Sequence, residues 1–262
     1  MEALDRRKGD SPSLPERFMR SFNKVFVIAL PRCATVSMCE ALGQLGVKTA
    51  HLGRIYGEQT QEHHHPERLA RMHEQIRSGD YGLDILQHCD GLADYPACSF
   101  EVIQNLDSAF PGSLFLNVRR DEDVTRWLQS VERQFVGLQL VKAGKESTEE
   151  ERRFMQVMLN FREMTFGQAK FEAEPYRLAY IDFQKKVADY FAGREDVLLD
   201  ISDIQDLEQS GFRQISEFLQ CDAPQAAFPR SNAHSELPSR VFMQALEAGE
   251  VQSQTGIKAI SC

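Results

Sequence analysis

Residues 24–46, KVFVIALPRCATVSMCEALGQLG, decide the fold. Val25 to Leu30 is an unbroken apolar run, the pattern of a strand buried on both faces of a parallel sheet. Pro31-Arg32-Cys33-Ala34-Thr35 is a turn. Beyond it Met38, Ala41, Leu42 and Leu45 fall at i, i+3, i+4 and i+7 of a helix, and Gly46 supplies its stop. A strand, a tight turn and a helix in that order aim free backbone N–H groups and the positive end of a helix dipole at one point. That is how a protein holds a phosphate or sulfate group. Arg32, in the turn, adds a cationic fork to the same point.

Outward from this unit, strands alternate with helices. Val47 to Leu52 reads as a second strand. The polar segment around His63-His64-His65-Pro66 leads into a helix marked by Leu69, Met72 and Ile76. Residues 90–96 read as a loop, followed by a helix carrying Phe100, Ile103 and Leu106. Leu114 to Val118 is a strand that runs into Arg119-Arg120-Asp121, and the next helix carries Trp127, Leu128, Val131 and Phe135. Residues 137–149 read as a mobile loop, and a long helix follows over about 149–170. Phe183, Val187 and Phe191 mark another helix, Val197 to Ile201 a strand, and Leu207 to Leu219 a helix. This order predicts a three-layer α/β domain with a mostly parallel central sheet. Residues 1–22 read as a flexible lead-in, 23–235 as one domain, and 236–262 as a tail that packs on it or extends from it. Ligands in such sheets bind at the carboxyl ends of the strands, where Arg32, Asp94 and Arg119 fall.

Bulk composition narrows the function. The chain has 262 residues and a formal net charge of -9, which argues against nucleic-acid binding. No apolar run approaches the ~20 residues that span a bilayer. The amino terminus lacks the apolar core of a signal peptide, so a cytoplasmic location is expected. Six cysteines without a C-x-x-C pair point to free thiols.

The turn is not the phosphate loop of an ATPase. It has neither the glycines nor the Lys-Ser/Thr pair of G-x-x-x-x-G-K-[ST]. Strand 114–118 also ends without an acidic residue to hold Mg²⁺, which disfavours a nucleotide kinase or hydrolase. No metal is expected. The His63–His65 run lacks the spacing to other ligands that a metal site needs and reads as an exposed loop.

Four segments resemble the P-loop-like sulfotransferases that use 3′-phosphoadenosine 5′-phosphosulfate, in particular the branch with P-R-[ST]-G-T-T-S-L in the turn. They are VFVIALPRCATVSMCEALGQLGVKTAH, DGLADYPACSFEVIQNLDSAFPGSLFLNVRRDEDVTRWLQSV, YFAGREDVLLDISDIQDLEQSGFRQISEFLQ and FPRSN, in that order. The resemblance implies transfer of a sulfonate group to a hydroxyl or amine of a small-molecule acceptor, leaving adenosine 3′,5′-bisphosphate. It assigns Arg32, Cys33, Ala34, Thr35, Val36 and Ser37 to the phosphosulfate loop. It assigns Arg119 to the 3′-phosphate, with Arg120 as the alternative at the same strand end. Ser130 fits the W-x-x-S spacing of a second 3′-phosphate residue, although an ungapped count lands on Trp127. Arg230 lies in FPRSN, where the family has F-P-H-x-N. Asp94 stands where many members carry a base histidine, and His51 is the reserve base. Ala34 replaces the family's glycine and Val36 a threonine, so a decayed binding or scaffold protein is the competing reading. A homodimer is compatible with all of this.

Overall fold

The computed structural model describes residues 19–57, 64–120, 124–143, 147–231 and 237–258. His63, Asp121, Asp123, Asn232 and residues 1–18 of the lead-in lie outside them. The strands are β1 (Val25–Val27), β2 (Thr49–His51), β3 (Arg54–Ile55), β4 (Gly91–Ala93), β5 (Leu114–Val118) and β6 (Leu198–Ile201). The helices are α1 (Thr35–Gln44), α2 (Pro66–Arg77), α3 (Phe100–Ala109), α4 (Val124–Lys142), α5 (Glu149–Phe166), α6 (Ala173–Phe191), α7 (Asp206–Leu219) and α8 (Leu237–Glu247). Among the described residues no helix is long and apolar enough to cross a membrane.

The six strands form one sheet in the order β3-β2-β4-β1-β5-β6. Every pairing is parallel except β2 with β3. This is the expected α/β architecture. The register places Val27 level with Ala93 and Leu116, and His51 level with Ala93. Strands β2, β4 and β1 therefore end level, and β5 beside them runs two residues further. The central strand β1 is buried throughout, as its apolar run requires.

Three stretches differ from the sequence reading. Segment 90–96 contains β4, a three-residue strand too short to show a pattern. Gly91 makes it possible, because a Cβ there would sit 1.7 Å from the Val25 carbonyl oxygen. Residues 137–142 are not loop but the last turns of α4. Gly137 looks like a helix breaker, yet it serves a close approach: a Cβ at that position would lie 2.0 Å from the Pro238 carbonyl oxygen on α8. The tail, in turn, folds back as α8, with Phe242 fully buried. Beyond α8 the chain covers the buried Glu132 carboxylate of α4. That carboxylate accepts from the Gln254 amide at 2.6 Å, from Ser253 Oγ at 2.8 Å, and from Thr255 Oγ1. A buried carboxylate needs such donors to offset lost hydration.

Candidate active site

The four adjacent strand ends deliver the residues of interest to one cavity of about 1420 Å³. Arg32 follows β1, His51 ends β2, Asp94 follows β4, and Arg120 lies just past β5. The volume exceeds the ~300–1,000 Å³ of an ordinary small-molecule pocket, so the cavity has room for two reactants. Its backbone is strained. Arg32 (φ 71°), Ala34 (φ 58°), Leu52 (φ 47°) and Asp94 (φ 61°) all line it. They are four of the six non-glycine residues with positive φ among the described residues. A left-handed L-residue costs roughly 1–2 kcal/mol, and such conformations gather where a site must be held in shape.

One side of the cavity is basic. Helix α1 starts at Ala34 with no side chain capping its first turn, so its N–H groups face the cavity mouth without that competitor. Arg32 Nε donates to Ser130 Oγ at 3.1 Å. Arg120 Nη1 donates to the same oxygen at 3.2 Å and to the Arg32 carbonyl at 3.1 Å. Arg133, one turn further along α4, completes the group. Burial, and then the charges of Arg120 and Arg32, hold its pKa below the usual arginine value. Cations crowded until they repel one another are arranged for an anion.

Several predicted residues take other positions. Arg119 leaves the cavity: its Nη2 lies 3.1 Å from Asp200 Oδ2, and Arg120 takes the place expected of it. Strand alternation explains this. Asn117 pairs with Asp200 in register and donates to it at 3.0 Å, so Arg119, two residues on, shares that face while Arg120 takes the other. Cys33 is fully buried, its thiol turned into the core and its N–H spent on the Leu30 carbonyl at 3.1 Å, so it does not line the cavity. Arg230 sits at the rim in an exposed ion pair with Glu208 at 3.3 Å. Ser37 lines the cavity and accepts from the Ser231 amide of the FPRSN segment at 3.1 Å. Val36 lines the wall. Trp127 packs in the core and donates to the Pro31 carbonyl at 2.9 Å, fixing the turn from below.

The other side can move a proton. Asp94 Oδ2 accepts from Thr35 Oγ1 at 2.9 Å and lies 3.3 Å from His51 Nε2. Its Oδ1 accepts from the Tyr95 amide at 2.8 Å. The two sequence candidates for the base are thus in contact, and the loop threonine is joined to both, with Thr35 Oγ1 3.2 Å from His51 Nε2. Leu52, Tyr56, Phe135, Phe154 and Met158 form an apolar wall beside them. Of the histidine run, His64 stacks on Phe154 at 4.3 Å and His65 caps α2 by accepting from the Arg68 amide. Among the described residues no cluster of histidine, cysteine and carboxylate groups could hold a metal.

Arg126 and Arg133 are functional candidates that the sequence reading passed over. The signal was present: Arg126, Ser130 and Arg133 stand at i, i+4 and i+7 of α4 and all line the cavity.

A family model for a sulfotransferase domain matches residues 24–237. A comparison with curated proteins finds no match. The matched segment holds all six strands of the sheet and the cavity residues of their carboxyl ends, and the chain belongs to the sulfotransferase family.

Proposed function

We propose that the protein moves a sulfonate group from 3′-phosphoadenosine 5′-phosphosulfate to a hydroxyl or amine of a small acceptor, in the cytoplasm. The carrying observation is that the arginine group on Ser130 and the Thr35–His51–Asp94 contact face the same cavity. Arg32 and the first-turn N–H groups of α1 suit the phosphosulfate end of such a donor. Ser130 accepts from two guanidinium groups, which leaves its own proton to donate to a phosphate oxygen. Arg120 and Arg133 extend that basic wall.

In the transfer the acceptor oxygen forms a bond to sulfur while the bond from sulfur to the bridging phosphate oxygen breaks. Arg32 then stabilises charge on the sulfonyl oxygens and the departing phosphate, in a geometry set before the reaction. The acceptor proton passes to Asp94. The His51 imidazole, 3.3 Å away, gives that proton a second site. Thr35 fixes the carboxylate between loop and strand.

Thermal melting with adenosine 3′,5′-bisphosphate tests the donor half: a rise in melting temperature is expected, and no shift at millimolar nucleotide would count heavily against it. Arg32→Ala should lose nucleotide binding and turnover together. Asp94→Asn should keep nucleotide binding while turnover falls ~10²–10⁴-fold, the usual worth of general-base catalysis. Full activity in Asp94→Asn would remove it from the proton path.

A further inference from the structure

Among the residues that line the cavity is an arginine that the transfer does not use. Arg162, on α5, is 1% exposed. Its Nε and Nη1 are buried without a hydrogen-bond partner, and no ion pair among the described residues includes it. Its guanidinium carbon lies 3.6 Å from the centre of the Phe135 ring. Tyr95, which follows Asp94, stands close enough for the Arg162 charge to oppose the burial that raises its phenol pKa. The Tyr95 hydroxyl is likewise buried with no partner. Three orphaned polar atoms, two of them on a cation, therefore gather beside the apolar wall of Phe135, Phe154 and Met158.

A buried guanidinium without a counter-ion is costly, and a protein keeps one where a ligand supplies the missing charge. Its planar edge matches two carboxylate oxygens, and the phenol next to it offers a further donor. We propose that Arg162 and Tyr95 bind a carboxylate on the acceptor, which makes the acceptor an organic acid with an apolar body. The acid group docks at Arg162, the body lies on Phe135, Phe154 and Met158, and the reacting hydroxyl or amine reaches Asp94 next to Tyr95. This deepens the transfer reading and rests on it. The cation–π contact with Phe135 alone does not account for the site, because it leaves the in-plane N–H groups unmet.

Isothermal titration of the full chain saturated with adenosine 3′,5′-bisphosphate tests this with two matched probe pairs. These are 3-(4-hydroxyphenyl)propionate against its primary amide, and decanoate against decanamide. The acid of at least one pair should bind roughly 10–100-fold tighter than its amide, the worth of hydrogen bonds to a charged group. Arg162→Gln should abolish that preference, Arg162→Lys should keep part of it, and both should bind the nucleotide as the wild type does. Equal binding of acid and amide, binding of neither acid, or an acid preference that survives in a folded Arg162→Gln overturns the assignment. If Arg162→Gln does not fold, the wild-type comparison decides by itself. Failure of the wild type to bind the nucleotide refutes the transfer reading instead, and the same pairs titrated without nucleotide then judge Arg162 separately.

Discussion

Ala34 holds a left-handed backbone where glycine would carry no penalty, in the turn that lines the cavity. Ala34→Gly should relieve roughly 1–2 kcal/mol of backbone strain and lose about 0.4–1 kcal/mol to the freer unfolded chain. The net gain, about 1 kcal/mol, corresponds to a rise of some 2–4 °C in melting temperature for a domain of this size. An unchanged or lower value would mean that the turn relaxes without help. A second contrast separates neighbours. Arg120→Ala should weaken adenosine 3′,5′-bisphosphate binding at least ~10-fold, as loss of a charged hydrogen-bond donor does. Arg119→Ala removes a half-exposed pair with Asp200, and such pairs are worth about 0–1 kcal/mol, so nucleotide affinity should hold. Equal losses in a titration would contradict the assignment. The end of this strand was readable from its apolar run. Which of two consecutive arginines faces the ligand was not, because parity is set by the pairing of Asn117 with Asp200, 83 residues away in the chain.

At the level of elements, α4 and α8 depend on one glycine. Gly137→Ala forces a methyl group against the Pro238 backbone, and overpacking of this kind costs ~1–3 kcal/mol. Phe242→Ala empties a fully buried site on α8 at a cost of ~3–5 kcal/mol. Calorimetry should show both variants destabilised, the second more than the first; a neutral Gly137→Ala would mean that the helices can slide apart. Long elements with strong periodicity, such as α1, α2 and β5, were legible in the sequence because local spacing and tertiary burial agree there. Element α8 was not: its apolar residues, among them Leu237, Val241, Phe242, Ala245 and Leu246, form one short helix between mostly polar flanks. A glycine that permits contact also looks, in one dimension, like a glycine that ends a helix. The same limit hid β4, a strand created by its neighbours.

Across the whole molecule, acid should act first through His73. Burial, and then Arg77, lowers its pKa from 6.5, and it sits on α2 with its ring edge-on to Phe161 of α5. The unfolded chain therefore binds this proton more readily than the folded one. Stability from His73 is full above pH 6.5 and is lost as pH falls through its lowered folded value. Asp107 follows at lower pH. Burial pushes its carboxyl up, but hydrogen bonds from Arg194 and Tyr190 more than offset this and hold it below 3.8. Its contribution is present above that value and disappears as the carboxylate is protonated. Denaturant titrations across pH should show a first decline below 6.5 that flattens in His73→Asn; an unchanged slope would assign it elsewhere. The folded whole also separates two duties. The reacting end is fixed by four parallel strands, none of which can shift without the others. One wall is α8, which begins where the match to the family ends and, among the described residues, packs chiefly on α4. A substitution on the cavity face of α8, such as at Met243 or Gln244, therefore changes what the cavity admits while the strand ends that carry Arg32, His51 and Asp94 stay as they are.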